Sequence, residues 1–292
     1  MNLEQPLRTP RLLAQLQDWL AEDLGRGDLT APALIGRRAQ ASWMAKQDGV
    51  FCGGGFALQL FRLLDPDLEA ECLVADGVAV RSGDTLLRLD GQASALVGAE
   101  RTALNLAMRL SGIATATAEL VKQLQGTGVR LADTRKTTPG LRELEKYAVR
   151  MGGGVNHRLG LDDAAMLKEN HLAWAGGVKP AITAVRASAP WPARVIVEAE
   201  TEQEAVEAVT AGADAVLLDE FTPEQLSKLV PRLRQLVVER AGSGAVVLEA
   251  SGIQPGDLRA YAATGIDLIS TSAPVTRSRW LDLSMRFAPA GR

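Results

Sequence analysis

Residues 194–219 read RVIVEAETEQEAVEAVTAGADAVLLD. The apolar runs at 194–199 and 215–219 are short enough for strands, and residues 202–211 between them have the spacing of a helix. Outward from this unit the alternation persists through the chain after residue 126. Further strand-like runs fall at 129–133, 153–157, 165–168, 245–250 and 267–271. Helical stretches fall at 140–150, 179–189, 223–239 and 255–263, and Pro223 is a favourable first-turn residue. Such repetition predicts a parallel sheet with right-handed crossovers, either a barrel or an open doubly wound sheet. Several of these strands end in polar residues: Asp133, Lys168, Glu198, Asp219, Ser251 and Ser272. In a βα barrel that rim faces the substrate.

The first third of the chain has a different texture. Residues 11–24 place Leu12, Leu13, Leu16, Trp19 and Leu20 at helical spacing before Gly25. Residues 39–50 alternate like a strand, and a helix follows at 56–64. Gly53-Gly54-Gly55 between them lacks either phosphate-loop spacing, so it reads as a structural turn. Residues 76–91 hold two short strands with the pattern of a biotin- or lipoyl-carrier sandwich. No lysine occurs at 70–100 to carry such a group, which makes the segment scaffold. A long helix is expected at 94–124, with Ser111-Gly112 as the place where it could break.

Composition bounds the function. The 292 residues are 47% hydrophobic and 23% charged, as in water-soluble globular proteins, with material for one large or two ordinary domains. A net charge of −3 and 4% aromatic residues argue against nucleic-acid binding. No apolar run reaches the ~20 residues of a membrane span, and residues 1–20 lack a signal-peptide core, so no membrane association and a cytoplasmic location are expected. Cys52 and Cys72 are too few for a disulfide framework or a zinc site, and are expected as reduced thiols.

Within this slightly acidic chain, cations gather between residues 133 and 171: Arg135, Lys136, Arg142, Lys146, Arg150, Arg158 and Lys168. Their position at turns and strand ends predicts a polyanionic ligand. Arginine forks suit planar carboxylates and phosphates, whereas Lys136 and Lys168 act as point charges. Glu198 and Asp219 can hold Mg²⁺, bond sugar hydroxyls or stabilise a developing positive charge, although either alone could be a cap or an ion-pair partner. Backbone N–H groups at Ser251-Gly252 and Ser272 can cradle a phosphate. Together these groups describe a site for a Mg-bound sugar phosphate beside a small dicarboxylate. Both histidines lie in the same segment. His157 could bond a carboxylate or orient its neighbour; His171 is placed behind the site; their spacing fits no metal motif.

The run TRKTTPGLRELEKYAVRMGGGVNHRLGLDDAAMLKENH at 134–171 closely resembles the quinolinate phosphoribosyltransferase family. EDLGRGDLT at 22–30, ERTALN at 100–105, VEAE at 197–200, LLDE at 217–220, EASG at 249–252 and LDLSMRF at 281–287 extend the likeness over nearly the whole chain. The resemblance implies an α/β fold: an N-terminal α/β sandwich-like domain at 1–112, an open, incomplete α/β (TIM-like) barrel at 113–275, and a C-terminal segment at 276–292 returning to the first domain. It implies a homodimer with a shared active site, in which Arg101 of one subunit serves the other. It assigns Arg135, His157 and Arg158 to gripping the pyridine dicarboxylate and Thr134 to substrate binding, with Lys136 and Lys168 near carboxylates and pyrophosphate. Glu198 and Asp219 would face ribose and Mg²⁺, and Ser251, Gly252 and Ser272 the 5′-phosphate. The implied reaction joins quinolinate to phosphoribosyl pyrophosphate, giving nicotinate mononucleotide, pyrophosphate and CO₂. Two positions depart from the family: Ile253 follows Gly252 where a second glycine is common, and Ser272 replaces a glycine.

Three rival readings are weaker. VEAETEQEA, LDEFTPEQ and TSAP are similar to the molybdenum-transport-associated homologue, but the intact RKTTPGLR, NHR and KENH favour the quinolinate enzyme. A non-catalytic nucleotide-binding barrel would not need Lys136, Lys168, Glu198 and Asp219 together. A Schiff-base aldolase would use Lys168 at its strand end.

Overall fold

The computed structural model describes residues 9–239, 245–254 and 256–288. Residues 1–8 of the expected 1–112 domain, residue 255 of the expected 255–263 helix and the last four residues of the 276–292 segment lie outside them. The chain forms two compact units. One holds the residues up to Ala118, Arg150–Gly153 and the chain from Ser278; the other holds Glu119–Val149 and Gly154–Arg277. Among the described residues no helix is long and apolar enough to cross a membrane.

The first unit is built on an antiparallel sheet in the order Leu283–Phe287, Arg38–Ala45, Thr85–Gln92, Glu69–Cys72. Alternation along Arg38–Ala45 turns Ala41, Trp43 and Ala45 to one face. There Trp43 is fully buried, with its ring edge-on to Phe61 at 6.1 Å between centroids. Phe61 comes from the helix Gly54–Leu64. The helix Pro10–Leu24 buries Leu12, Leu16 and Leu20, spaced by four. Its start is set by Thr9, whose hydroxyl accepts the Leu12 N–H, and by Pro10. The triple glycine is a packing turn. Gly53 caps the second helix at φ 105°, where a β-carbon would meet the Ala107 backbone at 3.1 Å.

The Ala93–Leu124 helix runs unbroken through Ser111-Gly112. These small residues admit neighbouring backbone instead of breaking the helix. The Ser111 hydroxyl accepts the Cys52 N–H and donates to the Cys52 carbonyl. A β-carbon on Gly112 would lie 2.1 Å from the Arg279 carbonyl oxygen.

The second unit is a parallel sheet in the order Arg130–Ala132, Leu268–Ser270, Val247–Ser251, Ala215–Asp219, Val195–Ala199, Ala165–Leu167. On the free side of Arg130–Ala132, Ala132 makes a single parallel bridge to Val155. No ladder joins Val155 to Ala165–Leu167 among the described residues, so the barrel is open there. The strand expected at 153–157 is therefore one bridge. The chain arrives at Val155 from a glycine turn, and the Asn156 side chain is already bonded to Asp133 and the Lys146 carbonyl.

Strand pleating sorts the residues into two layers. Val195, Val197, Val216, Leu218, Leu248 and Ile269 face outward into a core completed by helix residues such as Ala205, Val209, Leu226 and Leu233. Each fully buried aliphatic side chain contributes about 1.5–3 kcal/mol. Alternate residues Ile196, Ala215 and Leu217 pack with Met166 and Val247 on the inner side. Continuing that alternation places Glu198, Asp219, Glu249 and Ser251 inward. At the opposite strand ends the carboxylates are structural: Asp214 accepts the Val195 N–H and Asp267 the Leu248 N–H, both at 2.7 Å. Chemistry at one end and stability at the other is the division expected of a βα barrel.

Gly112→Ala is expected to destabilise the protein by at least about 1–3 kcal/mol, because backbone rather than a flexible side chain must move. A thermal or urea midpoint equal to that of the wild type would refute the close approach of Arg279.

Candidate functional site

The site rests on a buried carboxylate. Asp133, 1% exposed, follows the Arg130–Ala132 strand and accepts three hydrogen bonds. Oδ1 takes the Lys146 ammonium at 2.5 Å and the His157 N–H at 2.8 Å; Oδ2 takes the Asn156 amide at 2.7 Å. Lys146, also 1% exposed, donates further to the His157 carbonyl at 2.8 Å. Burial pulls the Lys146 pKa down, and its hydrogen bond and attraction to Asp133 oppose that.

The helix Arg142–Met151 ties two loops to this pair. Glu145 accepts both the N–H and the hydroxyl of Thr138. Arg142 donates to the Thr137 hydroxyl and, by another nitrogen, to the Leu159 carbonyl. The cation cluster read from the sequence therefore divides. Arg142 and Lys146 are internal struts, Arg150 is exposed in the helix's last turn, and Arg135, Lys136, Arg158 and Lys168 remain at the rim.

Arg135 and Arg158 are half-buried neighbours. Burial first, and Arg135 second, lower the Arg158 pKa, while Asp163 and Glu198 partly offset them. One Arg158 nitrogen donates to the Ala164 carbonyl at 2.9 Å, whereas the buried Nε of Arg135 has no partner among the described residues. Two guanidinium groups close enough for one to lower the other's pKa form an anion-attracting pair. His157 beside them is engaged at both ring nitrogens. Nδ1 accepts the Arg158 N–H at 2.7 Å, and Nε2 lies 3.4 Å from Oε2 of Glu249.

Across the rim, Lys168 pairs with Glu198, as the register Leu167↔Val197 requires. Its own N–H donates to Nδ1 of His171 at 3.0 Å, so His171 sets the start of the next helix. Asp219 ends the adjoining strand. Glu200, just past the Val195–Ala199 strand, has its pKa raised, by desolvation first and then by Glu169, Glu204, Asp219 and Glu198. Negative potential thus accumulates on this side. Among the described residues no three His, Cys, Asp or Glu are grouped to hold a metal ion.

A cavity of about 200 Å³ lies at the remaining strand ends. Thr134, Lys136, Ser251, Gly252 and Ser272, all expected at the site, line it. Gln254, Thr271 and Arg277 line it too and escaped the sequence reading. A cation at 277, beyond the recognised motifs, has no distinguishing pattern. Gly252 sits at φ +77°, where a β-carbon would crowd Glu220 at 3.1 Å, and Glu220 itself is left-handed at φ 57°. The two departures from the family pattern fit this backbone. Ile253 is buried in the outer core, and Ser272 is right-handed at φ −86°, a conformation open to any residue. Arg101 is exposed on the Ala93–Leu124 helix of the first unit.

An open α/β barrel whose rim joins an arginine pair, a small polar cavity and strand-end carboxylates defines a class of anion-handling enzyme. Comparison with known proteins narrows it. Residues 28–111 match the model for the quinolinate phosphoribosyl transferase N-terminal domain, and 113–286 that for its C-terminal domain. The chain is 44% identical over 273 residues to the "Probable nicotinate-nucleotide pyrophosphorylase (carboxylating)" of Synechocystis sp., covering 93% of this chain and 90% of that protein. It is 40% identical over 277 residues to the nicotinate-nucleotide pyrophosphorylase (carboxylating) of Mycobacterium leprae, covering 91% and 93%. The solved nicotinate-nucleotide pyrophosphorylase of Francisella tularensis superposes with a TM-score of 0.88 at 34% identity, over 99% of each chain. The chain belongs to the quinolinate phosphoribosyltransferase family.

Lys146→Met would leave the Asp133 carboxylate buried without its counter-ion. A loss of about 3–5 kcal/mol in urea unfolding is expected; a loss below 1 kcal/mol would show that the pair does not hold the loops.

Proposed function

We propose that the chain transfers a phosphoribosyl group from phosphoribosyl pyrophosphate to quinolinate and releases CO₂, forming nicotinate mononucleotide and pyrophosphate in NAD synthesis. The observation that carries this reading is the adjacent Arg135–Arg158 pair beside a separate cavity lined by Lys136, Ser251, Ser272 and Arg277. One anion site suits a planar dicarboxylate and the other a phosphate monoester.

In this assignment Arg135 and Arg158 grip the quinolinate carboxylates, with Thr134 at the edge of the loop and Lys168 opposite. Lys136, Arg277 and the backbone at Ser251, Gly252 and Ser272 hold the 5′-phosphate. Glu198 and Asp219 face the ribose, where their charge stabilises positive charge developing at C1. The pyridine nitrogen attacks C1 as the bond to the pyrophosphate oxygen breaks, and its electrons leave with pyrophosphate. The bond from C2 of the ring to its carboxylate then breaks; the electron pair stays at C2, stabilised by the adjacent positive nitrogen, and takes up a proton. The protein positions and polarises, and no covalent nucleophile is required.

Two strand-end carboxylates are too few to cage a cation alone, but they suit Mg²⁺, which commonly binds one or two carboxylates together with substrate phosphates. When bound there, Mg²⁺ supplies neutralisation of the pyrophosphate charge. The active form is a cytoplasmic homodimer in which the exposed Arg101 reaches the partner's site.

With Mg²⁺, phosphoribosyl pyrophosphate and quinolinate, the protein is expected to release CO₂ and pyrophosphate in equal amounts. Nicotinate, lacking the 2-carboxylate, should fall in kcat/KM by up to ~10⁴-fold, because a charge-binding group is left unpaired. Arg277→Ala should raise the KM for phosphoribosyl pyrophosphate by about tenfold, the worth of one charged hydrogen bond, and leave that for quinolinate unchanged. A folded protein without turnover, or one that uses nicotinate as well as quinolinate, contradicts the proposal.

A further inference from the structure

Among the described residues four carboxylates are buried: Asp65, Asp133, Glu145 and Glu249. Three have clear structural duties. Asp65 accepts the N–H groups of Asp67 and Gln92, Asp133 accepts three donors, and Glu145 clasps Thr138. Glu249 is different. It is 1% exposed on the inner side of the barrel, registered between Leu217 and Leu268, and it accepts no hydrogen bond among the described residues. Among those residues its Oε1 is buried without a partner, and its Oε2 approaches only Nε2 of His157, at 3.4 Å. A buried carboxylate costs several kcal/mol unless something compensates, and an apolar residue of this size would serve packing at least as well. Stability therefore does not account for Glu249.

The other side of His157 supplies the reason. Nδ1 accepts the N–H of Arg158, so that nitrogen carries a lone pair and the ring proton resides on Nε2, facing Glu249. The imidazole is clasped between a barrel-interior carboxylate and the backbone of an arginine of the anion site. The Asp133 and Lys146 bonds to the His157 N–H and carbonyl fix its main chain, but among the described residues no other group bonds its ring.

We propose that Glu249 is a positioning residue: it holds His157 in the Nε2–H tautomer, and the ring in turn fixes Arg158 for the dicarboxylate. The identity of the ligand rests on the function proposed above, whereas the tautomer does not. Lys–Asp and Glu–His pairs then secure the two ends of the same residue, one through its backbone and one through its ring.

The chain has two histidines, which makes the test direct. In the full-length protein labelled with ¹⁵N-histidine, and assigned with His171→Asn, His157 is expected as a single Nε2–H tautomer with a slowly exchanging proton. Glu249→Gln, which retains an oxygen acceptor, should preserve that spectrum and the KM for quinolinate. Glu249→Leu should lose the single tautomer and raise the KM for quinolinate about ten- to a hundredfold, as misplacement by about an ångström does. The KM for phosphoribosyl pyrophosphate and the melting temperature should hold, which a merely structural role would not allow. A wild-type spectrum showing Nδ1–H or an averaged, fast-exchanging ring overturns the proposal, and needs no variant to fold. A Glu249→Leu protein with unaltered spectrum and KM overturns it as well. If quinolinate proves not to be a substrate, the spectra still decide the tautomer.

Discussion

The contact on which the site depends is the ion pair between Asp133 and Lys146. It lies beneath the rim, fully buried, and neither group is placed to touch a ligand. One carboxylate sits at the end of a strand; one ammonium comes from the following helix. Between them they bind the backbone of His157 on both its N–H and carbonyl sides. The loop carrying Arg135 and Lys136 and the loop carrying His157 and Arg158 are thereby held in one frame. Without such a frame, Arg135 and Arg158 would separate, since like charges gain nothing by proximity until an anion arrives.

The remaining rim follows from the parallel sheet. A period of two sends apolar residues outward to the helices and leaves their neighbours pointing inward. Glu198 and Asp219 occupy that inner register on adjoining strands, and Lys168 meets Glu198 from the next strand. Ser251 pairs with Asp219 in register, so the polar cavity begins where the carboxylates end. The left-handed backbone at Glu220 and Gly252 brings these two loops close, and a side chain at 252 would be strained and would crowd Glu220.

Much of this was legible in the sequence, for physical reasons that differ between regions. Runs such as VIVE and AVLLD announce their strands because both faces are covered, and the residue after the run is then at the rim. Ser111-Gly112 misleads because small residues serve both as helix breakers and as contact points for foreign backbone. Residues 153–157 look like a strand, yet Asn156 turns aside to Asp133, an interaction no local pattern announces. Arg142 and Lys146 carry the same charge as Arg135 and Lys136. Only burial separates a strut from a binding group. Glu249 and Arg277 escaped for a related reason: their significance lies in what faces them across the barrel end.

Buried pairing of Asp133 with Lys146 organises an anion site at Arg135 and Arg158. A crystal structure of the full-length protein with quinolinate bound tests it most directly. The two carboxylates are expected to lie against the guanidinium groups of Arg135 and Arg158, with the Asp133–Lys146 pair intact beneath and the pyridine nitrogen turned toward Glu198 and Asp219. Quinolinate seated elsewhere, or held there by Arg142 or Lys146 drawn out of the interior, would contradict it.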